Sequence, residues 1–243
     1  MENSNSNLSL KLWILGFGFF LLQILPYLVF GFKYIPGIIS IPDLINLTLY
    51  PFVIGLTLYS IFTSLIRKED SIFLKYLFIF LLILHMEGHG FHWAANALDV
   101  TMDHTTGVPA ALHGYAYFLD EHLGHWLLFY ALFGMLLHFL LISVVKSRDE
   151  KVEKLWLINQ IAAFAFGFSL IVSGIEAQMP YETIIAGLIF FTIPIVFLKE
   201  KLKEMFREKC LVSYMFSTGL WIIMLASIYW IIFQGFPQPS EWM

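Results

Sequence analysis

Residues 71–97 read SIFLKYLFIFLLILHMEGHGFHWAANA, a run that is apolar almost throughout and carries His85, His89 and His92 in its second half. A helix needs roughly 17–25 apolar residues to cross a bilayer core, and this run has that length. Imidazoles are costly inside such a run, and where they occur they usually serve a function. One stretch therefore says both that the chain enters a membrane and that the entering helix carries chemistry.

Working outward, seven apolar runs appear, at about 9–32, 43–66, 71–97, 111–146, 155–178, 182–198 and 211–235. The chain is 59% hydrophobic and 13% charged, far from the soluble range. No run alternates polar and apolar residues as a membrane barrel strand does. The expected fold is all-α: a polytopic membrane protein forming a single bundle of seven transmembrane helices, with residues 1–243 as one domain. Run 111–146 is too long for one straight span, so its start is expected in or beyond the headgroup region. The first run lacks a small-residue cleavage site and reads as a retained helix. No repeat or long linker interrupts the chain, and turn-forming loops such as KYIPGIISIPD and AQMPYE are short enough to make successive spans neighbours. The polar start ENSNSN reads as a disordered tail.

Basic residues cluster at three connections: Arg67, Lys68 and Lys75; Lys146, Arg148, Lys151 and Lys154; and Lys199, Lys201, Lys203, Arg207 and Lys209. With Lys11, they put 13 of the 14 basic residues on one side of a seven-span chain, leaving Lys33 opposite. The positive-inside rule makes that side cytoplasmic. The N-terminus is then cytoplasmic, and the C-terminus and the histidine-bearing ends of the spans lie on the outer side. The stretch KEKLKEMFREKC reads as a solvated helix end. The only cysteine, Cys210, excludes an internal disulfide and any multi-thiolate metal site within one chain.

All eight histidines lie between His85 and His138. At about 100° per residue on a helix, His85, His89, His92 and Asn96 share one narrow stripe, and Glu87 points away. On the fourth run, Glu121 and His125 have the i, i+4 spacing that lets two side chains grasp one ion, with His122 and Tyr117 flanking them. His113 and Asp120 fall about 120–140° from His125 by the same arithmetic. The two runs are joined by DVTMDHTTGVPAALHG, which carries His104, so an antiparallel pair of spans brings their stripes face to face at one depth. Imidazoles with carboxylate and no thiolate suit zinc, copper or iron. The expected ligands of one or two transition-metal ions are His85, His89, His92, Glu121, His122 and His125, with Glu121 also the catalytic group. Asn96, His113, Tyr117, Asp120 and Glu176 are expected to support them or add a ligand. His104 reads as a solvated loop residue and His138 as a hydrogen-bonded packing residue.

The leading functional expectation is a membrane metalloenzyme that hydrolyses or oxidises a hydrophobic or lipid substrate near the outer leaflet. A divalent-metal or proton transporter and a haem-binding electron-transfer protein are the alternatives. Membrane lipid and a hydrophobic substrate are the expected partners, and nucleic acid is not among them. Several seven-span or histidine-rich membrane classes are excluded by missing residues. The last run has no lysine for a retinal Schiff base and no His-x-x-x-His of the ceramidase and adiponectin-receptor type. No HxxHH box of membrane desaturases occurs, and no histidine follows His138 as a rhomboid protease requires.

Overall fold

The seven apolar runs fold as seven helices in a computed structural model that describes residues 8–31, 33–35, 39–103, 105–146, 156–197 and 209–239. They are α1 (Leu8–Phe30), α2 (Ile41–Leu65), α3 (Ile72–Asp103), α4 (Ala110–Val145), α5 (Trp156–Glu176), α6 (Pro180–Phe197) and α7 (Cys210–Phe233). All seven are long and apolar enough to cross a membrane, and the chain is an all-α integral membrane bundle. Among the described residues, the first connection also carries a pair of two-residue antiparallel strands, Tyr34–Ile35 with Ile39–Ser40. The N-terminal tail, His104, the basic residues at 148–154 and the stretch KEKLKEMFREKC up to Glu208 lie outside the described residues.

Apolar side chains cover the outside of the bundle as well as its core. Leu28, Phe52, Tyr76 and Ile231 stand exposed, as lipid rather than water requires. Three helices depart from a plain α-helix. Helix α1 breaks at Ile24, two residues before Pro26. Helix α2 widens to a π-turn over Pro51–Gly55, where proline removes a backbone donor. Helix α4 is one continuous rod, but Phe118–Gly124 is π-helical, and His125 donates its backbone N–H to the carbonyl of Asp120, five residues back.

Helix α3 packs along α4, α1 along α5, and α7 against both α5 and α6. The α3–α4 contact is backbone to backbone, because a glycine on each helix removes the side chain that would hold them apart. A Cβ on Gly88 would collide with the backbone of Gly124 and Leu128, and a Cβ on Gly124 would lie 2.9 Å from the backbone nitrogen of His92. Small residues at crossings are how membrane helices gain close packing without a hydrophobic driving force. At the opposite end of the pair, a buried Asp70 in the α2–α3 turn is bonded by Lys146 at the end of α4 and accepts the Arg67 backbone N–H at 2.7 Å.

Candidate metal centre and cavity

The close crossing at Gly88 and Gly124 sets His92 of α3 opposite His125 of α4, with ring centroids 4.7 Å apart. Asp120 joins them, its carboxylate in direct contact with His92 Nδ1. His92, Asp120 and His125 each offer a ligand atom, all within 4.8 Å of one another. Beside them Glu121 Oε2 lies 3.5 Å from His125 Nδ1. Neither atom is hydrogen-bonded, although both are buried. Metal–ligand bonds of about 2.0–2.1 Å in a tetrahedral site put two ligand atoms about 3.3–3.4 Å apart, close to the separation seen. The donor set, imidazoles and carboxylates with orphaned atoms, thus fits a transition-metal ion.

Asp120 differs from the helical-wheel expectation, which turned it well away from His125. The wheel assumes an α-helix throughout, whereas residues 118–124 form i→i+5 bonds that stack residue i beneath residue i+5. Asp120 and His125 are such a pair, so the π-turn carries Asp120 onto the face of His125.

The remaining stripe residues of α3 divide between two neighbours. His85 is fully buried, and both its nitrogens are engaged. Nδ1–H donates to the Leu128 carbonyl at 2.8 Å, and Nε2 accepts from the Tyr50 hydroxyl at 3.0 Å. His89 stacks on the Tyr50 ring, with centroids 4.5 Å apart. Its Nε2–H donates to the Asn46 carbonyl at 3.4 Å, which fixes the tautomer and leaves a buried Nδ1 lone pair without a protein partner. Asn96 donates to Asp43 at 3.2 Å, and the Tyr27 hydroxyl donates to the other oxygen of the same carboxylate at 2.8 Å. Asp43 is buried near the start of α2, where the Ser40 hydroxyl accepts its backbone N–H. Gln23 and Asn46 pair through their amides just below.

These groups wall a cavity of about 510 Å³ between α1, α2, α3, α4 and α5. His89, His92, Asn96, Asp120, Glu121, His125 and Glu176 line it, while Phe19, Ile24, Leu28, Phe129, Phe168 and Val172 form its apolar side. Eight buried side-chain polar atoms among the described residues lack a hydrogen-bond partner, and four of them, on His89, Trp93, Glu121 and His125, belong to this lining. Buried polar groups are otherwise almost always satisfied, so the concentration marks a place where something else bonds.

Other singled-out residues lie apart. His122 is ringed by Tyr117, Phe118 and Trp126 rather than by ligands. Tyr117 accepts a bond from Gln178 at 3.1 Å. His113 reaches Asp99 at 3.2 Å and Asp103 at 3.8 Å in a half-exposed group near the α3–α4 connection. His138 is buried beside Phe62, well inward of the cavity. Asp43, Asn46, Gln23, Tyr27 and Tyr50 escaped the reading of the sequence. Gln23 and Asn46 did carry a signal there, as uncharged polar residues inside apolar runs, whereas Asp43 resembled an ordinary helix start.

What fold and site define together is an integral membrane bundle with a pocket lined by histidines and carboxylates. No protein-family model, curated protein or solved structure matches the chain.

Proposed function

We propose that the protein is a membrane metalloenzyme, with one transition-metal ion held by His92, Asp120 and His125 and with Glu121 as the adjacent proton acceptor. The ion is zinc, copper or iron, since the donors are nitrogen and oxygen without thiolate. The observation that carries this reading is the set of His92, Asp120 and His125, whose ligand atoms lie within 4.8 Å of one another, beside the buried Glu121 Oε2, 3.5 Å from His125 Nδ1 with neither of these two atoms hydrogen-bonded. His92 Nδ1 and an Asp120 oxygen stand against each other, so a bound ion would take the place of the proton they share. His85, with both nitrogens engaged, orients the α3–α4 crossing rather than binding metal. His89 keeps a lone pair facing the cavity and is the ligand available to a second ion.

Bound there, the ion would polarise a substrate oxygen or activate water or dioxygen. The protein's own groups supply the rest. Glu121 takes a proton within reach of the ion, the Asn96–Asp43–Tyr27 chain holds three helices in register, and the apolar wall receives a hydrophobic substrate and excludes water. Enzyme is favoured over transporter because the cavity floor is closed. Phe19, Leu132 and Phe166 are fully buried there, and the polar pair deeper in, Tyr50 and His85, is closed by its own hydrogen bond.

Metal analysis of the purified protein with an absorption spectrum tests the proposal. About one ion per chain is expected, lost in His125→Ala and kept in Glu121→Gln, whose amide preserves shape but removes the base. A metal-free wild type, or a haem spectrum, would refute it.

A further inference from the structure

Helix α1 changes direction at Ile24, because Pro26 cannot donate to the carbonyl of Leu22. Before the break, α1 lies tightly on α5. Gly16 touches the Ala162 carbonyl, Phe19 meets Phe166 edge-on at 5.3 Å between centroids, and Phe20 meets Phe168 at 6.1 Å. After the break, Leu25–Phe30 leans on the start of α2, where Tyr27 bonds Asp43. The two helices therefore part at the level of the cavity. Leu28 shows what this does: it is 68% exposed to the surroundings and also lines the cavity, with Phe168 and Val172 across the gap. A residue that meets both inside and outside marks an opening, and in the last turn of a membrane helix the outside is the boundary between acyl chains and headgroups.

We propose that the gap between Leu25–Phe30 and residues 168–172 is a lateral portal for an acyl amphiphile drawn from the bilayer. Its oxygen-bearing head would lie among His92, Trp93 and His125, and its chain between Leu28 and Val172. Trp93 supplies an independent reason for an oxygen in the head. Its indole N–H can only donate, is buried, and has no acceptor among the described residues. The cavity of about 510 Å³ falls in the ~300–1,000 Å³ range of small-molecule sites, so it takes a head and the beginning of one chain, the remainder lying in the gap. The portal rests on the metal reading only for what the head would meet.

The test is photolabelling in phosphatidylcholine nanodiscs, with a long-chain fatty acid carrying a diazirine in the middle of its chain as the probe. Labelled residues are mapped by mass spectrometry, and metal content is measured on the same sample. Label should concentrate at residues 24–28 and 168–173. Leu28→Trp, which crowds the opening, should lower it at least about fivefold. Leu157→Trp, at a position 62% exposed near the far end of α5, should leave it unchanged. Label spread evenly over the lipid-facing residues of all seven helices, or undiminished in Leu28→Trp, overturns the portal even if metal is bound. Portal label in a metal-free protein upholds the portal and overturns the metal reading alone.

Discussion

Replacing Gly88 with alanine tests whether the helix crossing builds the metal centre. The added Cβ would sit 2.8 Å from the Gly124 carbonyl oxygen and 2.9 Å from the Leu127 carbonyl carbon, against 3.4 Å for ordinary contact. Both neighbours are backbone and cannot rotate away, so α3 and α4 must separate by at least about 0.6 Å. That is about three times the 0.2 Å tolerance of a metal–ligand distance. Overpacking of this kind costs about 1–3 kcal/mol. If the loss falls on the ion, affinity drops about 5- to 150-fold at 1.4 kcal/mol per tenfold. Competition with a chromophoric chelator in detergent measures it, alongside the melting temperature. Gly90→Ala is the matched control, because a Cβ there meets nothing within 4 Å, and it should bind as wild type. Gly88→Ala binding metal with unchanged affinity and stability would refute the reasoning.

Further outcomes follow from the same geometry. His92→Ala and His125→Ala should each lose the ion, whereas His138→Ala, about 20 Å along the helix from His125, should retain it by elemental analysis. Asp43→Ala strands the Tyr27 hydroxyl and the Asn96 amide and should lower stability by about 1–3 kcal/mol, read as a fall in melting temperature. Reporter fusions at residues 105–109 should report the outer side, as 13 of 14 basic residues demand; cytoplasmic signal there would reverse the orientation.

Hydropathy made the seven helices legible because lipid imposes one requirement on every span, an apolar surface of fixed length. The inward turn of the α3 stripe was legible for a related reason, since an imidazole facing lipid has no partner. How that stripe divides was not legible. His85 and His89 turn to Tyr50, Asn46 and the Leu128 carbonyl, partners fixed by how α2 and α4 lie against α3. Spacing along one helix carries no record of that. His122 shares a turn with His125 yet stands among aromatic rings, and Asp43 reaches Asn96 only because the start of α2 lies against α3.

The π-turn of α4 has a consequence for how such a protein arises and fails. Deleting Leu119, just before Asp120, would restore α-helical hydrogen bonding and leave Asp120, still five residues before His125, about 140° around the helix from it. Length, hydropathy and the balance of charge would scarcely change, so the chain would insert with the same topology. Asp120 would face elsewhere, and the proposed ion would lose its third ligand. A homologue lacking that single residue would look the same by composition and be chemically silent. If the proposed site holds its ion, the line between a metal-binding bundle and an inert one is drawn by register along a helix rather than by which residues are present.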